Sequence, residues 1–396
     1  MKRMDRRTFL TTLAAAATGS LTGAAWARET LAAPATAAAP AKPAATQAAP
    51  AVPELIERNA WPEHWETSLE SLGRTWLTPN DRFFVRNHLP APEIDPATHK
   101  LEIRGLVRLP LTLSLADLQA MPPSSVPCTL ECAGNGRALF DFPSTAGTQW
   151  ERGAVGNAHW AGVSLLALLR RAEVSADAKH VWFEAADRSP HPDTPPFLRS
   201  IPIEKAMSDV LLAWSMNGEP LPRLHGGPLR AIVPGWFAMA STKWVTRIRL
   251  ERDPSDNHFM AKGYRYNAPG EDPLGTAPVE EMKVKSVITR PLDGATVALG
   301  KVRIQGLAWA GPKGLRMVEI STDGGTSWKP AGFMGDHEPM TWRIWATQVE
   351  VKEPARLTVM ARATDGNGVQ QPLVAPINAG GYGNNSIHSV SFRVRA

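Results

Sequence analysis

The sequence predicts an α+β protein of two domains: a mixed body of short strands, short helices and Pro-rich loops, then a β-sandwich of immunoglobulin-like architecture. Three observations carry this. The chain has 396 residues, more than one core usually fills. Its 43% hydrophobic and 20% charged content is that of an ordinary globular protein, neither disordered nor polytopic. The pattern also changes character at about Lys283. Before it, strand-like and helical runs alternate; after it, strand-like runs follow one another without helices.

Residues 1–27 read as an export signal. Lys2, Arg3, Arg6 and Arg7 form a basic start, a short apolar run follows, and Ala25-Trp26-Ala27 offers a small-residue cleavage site. Arg6-Arg7 followed by Thr8-Phe9-Leu10 resembles a twin-arginine signal, against the alternative of an ordinary secretory one. The twin-arginine route moves folded proteins, which suits a chain loaded with a cofactor before export to the periplasm. The apolar run is too short and too interrupted to span a bilayer, so no stable membrane insertion is expected. Residues 28–52 form an Ala/Pro/Thr tract that cannot bury enough apolar surface to offset its ordering entropy, and read as a linker.

Residues 53–282 make the first folded domain. Leu101–Gly105 and Val181–Glu184 alternate as strands do, while Val163–Arg171 and Ile203–Trp214 carry apolar residues at helical spacing. Loops around Pro190–Pro196 and Pro220–Pro228 are long enough to line a site. Residues 283–396 make the second. Strands are expected over Val284–Thr289, Val302–Ala308, Met317–Ser321, Trp342–Val351, Ala355–Ala363 and Ser389–Val394, with Gly-containing turns at 293–294, 323–325 and 365–368.

Composition excludes several functions. The net charge is +5, of which residues 1–27 hold +3, and no basic stripe marks a nucleic-acid binder. Two cysteines, Cys128 and Cys132, exclude a disulfide scaffold, a four-cysteine zinc site and a four-thiolate iron–sulfur cluster. No C-x-x-C-H occurs, so no covalent c-type haem is expected.

The stretch with chemical content is Pro127–Arg137, PCTLECAGNGR. Cys132 stands at a strand end entering a turn with Gly134 and Gly136, where backbone can approach a bulky ligand and a thiolate is a soft metal donor. The competing readings are a Cys128–Cys132 disulfide in an oxidising compartment, which a four-residue extended separation disfavours, and an inert buried Cys128. Asp81–Pro90 (DRFFVRNHLP) sets Arg86, Asn87 and His88 after an aromatic pair. His225–Trp244 (HGGPLRAIVPGWFAMASTKW) sets His225, Arg230 and Lys243 around an apolar strand. Each cation alone reads as a solvated surface charge; together they suit phosphate and oxyanion binding.

At FFVRNHLP, LECAGNGR, MNGEPLPR and HGGPLR…VPG…KW, in that order along the chain, the sequence resembles the sulfite oxidase family of molybdenum enzymes from about Leu77 to its C-terminus. The resemblance implies a sulfite-oxidase-type mixed α/β molybdopterin domain followed by an Ig-like dimerisation domain. It implies one molybdenum with a single pyranopterin, the metal held by Cys132. The cofactor segments it implies are Phe84, Val85, Arg86, Asn87 and His88, then His225 and Arg230, then Ser241, Thr242 and Lys243, with an acidic contact from Asp187 or Asp193. Arg86, Arg137, Trp150 and Tyr264 match its substrate pocket. Two positions depart: glycine at 380, where animal members carry a third pocket arginine, and Gly136 in place of a common arginine. The implied reaction is oxidation of sulfite to sulfate. No haem is expected in this chain, so an external c-type cytochrome would take the electrons, and a homodimer is expected. The rival readings are a sulfane-sulfur dehydrogenase subunit of a thiosulfate-oxidising complex, a nitrate or sulfoxide reductase, and a non-catalytic periplasmic binding module.

Overall fold

The structure, a computed structural model, describes residues 54–140, 145–336 and 338–396. The expected export signal (1–27) and linker (28–52) lie outside the described residues. Three sheets build the N-terminal part and a fourth the C-terminal part. A small antiparallel sheet of Leu55–Asn59, His64–Thr67 and Val85–Arg86 brings Arg86 opposite His64.

The second sheet runs, in spatial order, Glu219–Pro220, Leu211–Met216, Val155–Ser164 and Ser124–Glu131, with Arg230–Ile232 also paired to Leu211–Met216. The third runs Leu111–Ser114, Lys100–Gly105, Val245–Glu251, His180–Ala185 and Leu198–Pro202. Leu101, Ile103 and Ile248 of the third sheet meet Val163 and Leu212 of the second in one apolar core. Helix Leu165–Ala172 closes that core with Leu165, Leu168, Leu169 and Ala172, the i, i+3, i+4, i+7 stripe of an amphipathic helix.

Two helical expectations are corrected. The run from Val163 becomes helical only at Leu165, because Val163 and Ser164 still pair with Leu212 and Leu211. Over Ile203–Trp214 only Ile203–Ala206 is helical, and Leu211–Met216 is a strand. That strand is hydrogen-bonded on both sides, by Val155–Ser164 and by Arg230–Ile232. A short apolar run buried on both faces has no alternation to separate it from helix.

The C-terminal part is all strand apart from one 3₁₀ turn. Its eight strands form one hydrogen-bonded path: Lys285–Arg290, Gly300–Trp309, Arg343–Val351, Lys329–Met334, Leu315–Ser321, Ala355–Asp365, His388–Arg395 and Thr296–Ala298. The path curls until Lys285–Arg290, at one end, packs across Ala355–Asp365 and His388–Arg395 near the other. Ile288, Ile304, Trp345, Val359 and Phe392 fill the space between, giving the sandwich-like architecture expected. Thr296–Ala298 and Lys329–Met334 carry no clear strand pattern; the latter contains Pro330 and Gly332, both disfavoured in strands. Among the described residues no helix is long and apolar enough to cross a membrane.

The two parts share buried polar contacts at the strand that leads to Cys132. Lys285 Nζ donates to Glu131 Oε1 at 2.9 Å and to the Asn135 carbonyl at 3.0 Å. Trp309 Nε1 donates to Glu131 Oε2 at 2.8 Å, and Asn135 Nδ2 to Oε1 at 3.0 Å. Both ions of the pair are 2% exposed. Removing one partner of such a pair strands the other charge in a dry interior. Lys285→Ala is therefore expected to cost about 3–5 kcal/mol of unfolding free energy, measured by denaturant titration; the joint Lys285→Met, Glu131→Gln variant should lose less.

Candidate active site

Cys132 leaves the strand Ser124–Glu131 with its own N–H bonded to the Ala154 carbonyl at 2.9 Å. The chain then turns: Asn135 N–H reaches back to the Cys132 carbonyl at 2.9 Å, and Gly136 takes φ +96°. Only glycine adopts that conformation readily, and a Cβ there would also press on Asn384 at 3.1 Å. The turn leaves the Cys132 side chain on the wall of a cavity that it shares with Arg86, His88, His225, Arg230 and Lys243.

Both cysteines are free, which overturns the disulfide alternative. Cys128 is fully buried among Leu130, Trp160 and other apolar groups, and burial pushes its thiol up to about 12. Four residues of extended strand span roughly 13 Å, well beyond disulfide reach.

Three cations face or line the same cavity. Arg86 has a buried Nη1 without a partner. Arg230 is 5% exposed; it donates to the His225 carbonyl at 2.6 Å and the Ser241 carbonyl at 3.0 Å, and its guanidinium lies over the Trp160 ring at 5.0 Å. Lys243 Nζ donates to the Leu224 carbonyl at 2.9 Å and to Asn87 Oδ1. Burial, and then Arg230, hold the Lys243 ammonium well below its ordinary pKa; burial alone brings Arg230 down to about 9. The carboxylate among them is Asp187, whose Oδ1 is buried and unpartnered; burial raises it to about 6 against the pull of Lys243. Of the two acidic candidates, Asp187 lines the cavity, whereas Asp193 is exposed on its loop.

Two histidines line the cavity, and their surroundings disfavour the charged form of both. Burial, then Arg86 and Lys243, keep His88 well below its usual pKa, and burial brings His225 down to about 3. His225 Nε2 lies 2.9 Å from the Asn80 carbonyl, which fixes its ring. Tyr264 has φ +57°, unusual for a non-glycine residue, and its hydroxyl lies 2.6 Å from His88 Nε2. Ser241 spends its hydroxyl on the Val233 N–H at 3.0 Å, while Thr242 Oγ1 is buried and unpartnered.

Of the residues read from sequence, Phe84, Arg86, His88, Cys132, His225, Arg230, Ser241, Thr242, Lys243 and Tyr264 meet at this one cavity. Four do not line it. Val85 is buried and pairs with Trp65, and Asn87 braces Lys243 while donating to Glu63 Oε2 at 2.9 Å. Trp150 is fully buried against His64. Arg137 spends Nε on the Gly380 carbonyl at 2.9 Å and Nη1 on the Thr148 carbonyl at 2.8 Å. A second, more open cleft lies on the other side of Arg86, walled by His64, Arg58 and Thr148; Arg137 and Trp150 stand behind that wall through Thr148 and His64. Burial and Arg86 bring His64 down to about 4.

Sequence reasoning missed Phe197, whose ring stacks on His88 at 4.1 Å, and Arg199, 2% exposed and over the Tyr264 ring at 5.2 Å. A lone arginine in a strand reads as a solvated charge, so nothing in its spacing marked it.

The residues fit a metal-bearing anionic cofactor. A thiol stands on the wall, cations gather in dry surroundings with too few counter-charges, and Arg86, Asp187 and Thr242 each keep an unpaired buried polar atom there. Comparison with known proteins decides the lineage. Residues 88–259 match the oxidoreductase molybdopterin binding domain and residues 276–395 the Mo-co oxidoreductase dimerisation domain. Sulfite oxidase of Gallus gallus is 37% identical over 335 residues, 80% of this chain and 72% of the relative. This chain belongs to the sulfite oxidase family of molybdenum enzymes.

The mitochondrial sulfite oxidase of Rattus norvegicus is also 37% identical over 84% of this chain, which spans 64% of that relative's length. Among solved structures, the sulfane dehydrogenase SoxCD from Paracoccus pantotrophus is similar with TM-score 0.75 and 31% identity, covering 83% of this chain and 84% of that one. The family's cofactor is molybdenum on a pyranopterin. Cys132 would offer such a metal its thiolate, and Arg86, His88, His225, Arg230, Thr242 and Lys243, which line the same cavity, would offer polar and cationic contacts to the pterin and its phosphate.

In protein stripped of cofactor, a small alkylating reagent at neutral pH should modify Cys132 and spare Cys128. Peptide mass spectrometry checks this; alkylated Cys128 or a 128–132 bridge would contradict the geometry.

Proposed function

We propose that this chain oxidises sulfite to sulfate in the periplasm and passes the electrons to an external c-type cytochrome. The observation that carries the reading is the unpartnered guanidinium of Arg86, shared between the Cys132 cavity and the adjoining open cleft. An oxyanion entering by the cleft meets that charge beside the metal's thiolate. The reaction balances as sulfite plus water giving sulfate, two protons and two electrons; the cytochrome takes the electrons one at a time. When bound, the molybdenum cofactor supplies the oxygen-atom and two-electron transfer.

The chain's own residues bind and orient. Arg86 can take two oxygens of a small dianion with parallel N–H donors. His64 walls the cleft side with its ring fixed, Nε2 lying 2.8 Å from the Asn87 carbonyl and Nδ1 2.8 Å from Thr148 Oγ1. Tyr264, whose hydroxyl lies 2.6 Å from His88 Nε2, can turn its O–H toward the cavity when His88 Nε2 carries the ring proton and donates to the phenol oxygen. Arg137, committed to two backbone carbonyls, adds positive field without reaching the ligand. The twin arginines at the N-terminus support the periplasmic location, and the dimerisation-domain match supports a homodimer.

A second reading, oxidation of a sulfane sulfur carried by a partner protein, is favoured by the likeness to the SoxCD sulfane dehydrogenase. Purified chain turning over free sulfite with cytochrome c separates the two, since the second reading requires the carrier. Cys132→Ser should lower sulfite oxidation by about three orders of magnitude or more and reduce the molybdenum recovered by elemental analysis. Arg86→Gln should raise the sulfite KM about 10- to 100-fold, the worth of a hydrogen bond to a charged group. Arg137→Gln should move it less. Equal KM shifts in the two arginine variants would mean that Arg137 leaves its carbonyls and reaches the ligand.

A further inference from the structure

Behind the cavity wall four side chains make successive ring contacts. The Arg199 guanidinium lies 5.2 Å from the centre of the Tyr264 ring. The Tyr264 and Tyr382 rings are stacked, 5.0 Å apart with 23° between planes. The Arg137 guanidinium lies 5.3 Å from the centre of the Tyr382 ring. Of the four, Tyr264 is the one that lines the cavity. Arg199 donates to the Phe259 carbonyl but keeps a buried Nε without a partner. A buried arginine so poorly paired is costly for stability, which a purely structural role does not explain.

The C-terminal part holds Tyr382 in place from both sides. Asn378 accepts from the Tyr382 N–H at 2.9 Å and donates to its carbonyl at 2.8 Å. The next residue, Gly383, donates its N–H to the Ala133 carbonyl at 2.8 Å, and Asn384 Nδ2 donates to the Gly136 carbonyl at 2.8 Å. The 378–384 loop is thus fastened to the turn that presents Cys132. A Cβ at Gly380 would lie 2.0 Å from the Tyr382 ring, so this ring fills the space a side chain at 380 would need.

We propose that Tyr382 and Arg199 are positioning residues for Tyr264: Tyr382 holds its ring in the strained backbone conformation, and Arg199 places a positive charge against it that strengthens the hydroxyl as a donor toward a bound oxyanion. A cation against a phenol ring draws electron density from it, and the effect grows in dry surroundings. The cavity wall is in this way completed by the C-terminal part of the chain, at the position where a side chain on residue 380 is absent.

The chain has three tyrosines, Tyr264, Tyr266 and Tyr382, so protein labelled with ¹³C at tyrosine Cζ gives one resonance per residue, assigned by Tyr264→Phe. In the full-length holoenzyme, Tyr382→Leu should broaden or split the Tyr264 resonance, and Tyr382→Phe should leave it single. Gly380→Ala, which pushes a methyl into the Tyr382 ring, should repeat the Leu effect and keeps the test decisive if Tyr382→Leu does not fold. Arg199→Met should shift the Tyr264 resonance and leave that of Tyr266 in place.

The charge role rests on the proposed sulfite oxidation. Arg199→Met should raise the sulfite KM about three- to tenfold with a smaller change in kcat, and Arg199→Lys should recover much of it. An unmoved Tyr264 resonance in both Tyr382→Leu and Gly380→Ala, or an unmoved KM in Arg199→Met, would overturn the proposal. Failure of the wild-type chain to oxidise sulfite would overturn the functional reading while the resonances still report on the stack.

Discussion

The site depends on positive charge held out of water. Arg86, Arg230 and Lys243 converge on one cavity where burial disfavours the charges of Arg230 and Lys243, and Asp187 is too little and too desolvated to balance them. A folded chain keeps such a cluster when something else supplies the compensation: apolar burial elsewhere, backbone carbonyls aimed at the donors, and finally an anionic ligand. The first two are visible here. Two carbonyls are aimed at Arg230, while one carbonyl and the Asn87 side-chain oxygen are aimed at Lys243. The orphaned atoms of Arg86, Asp187 and Thr242 leave the third contribution to the cofactor and substrate.

That arrangement explains why the scaffold is built from three sheets with short helices at their edges. Cys132 comes off the end of one strand, Arg230 sits in another strand of the same sheet, and Arg86 ends the small N-terminal sheet. Arg86 and Arg230 are carried by backbone whose own hydrogen bonds are satisfied in a ladder, and Cys132 follows directly on a third such strand, so their positions are set to within the rigidity of a sheet. The irregular segments, 132–137 and 223–244, supply close approach through glycine where a ligand's bulk needs it.

Much of this was legible in the sequence and some was not, for physical reasons. Leu101–Gly105, Val181–Glu184 and Ser389–Val394 alternate clearly, because one face of each meets a core and the other is more open. Leu211–Met216 does not alternate, since both of its faces are covered, and it was misread as helix. Cys132, Arg86 and Lys243 were legible as residue types rare in such surroundings, grouped in short motifs. Asp187 could not be separated from Asp193 in one dimension, because both stand in the same loop and burial alone distinguishes them. Arg199 and Tyr382 were invisible for a further reason: they touch Tyr264 from distant parts of the sequence, and such long-range contacts leave no local pattern.

The same distances in sequence show why the C-terminal part is more than an appendage. Lys285 neutralises the carboxylate that immediately precedes Cys132, Trp309 shares that carboxylate, and the 378–384 loop bonds to Ala133 and Gly136 on the far side of the turn. The cysteine turn is therefore held between the strand ladder of the N-terminal part and three groups from the C-terminal part. Partners more than 150 residues apart in sequence must fold together before the turn is fully ordered. A metal ligand placed there acquires its final geometry only in the assembled chain.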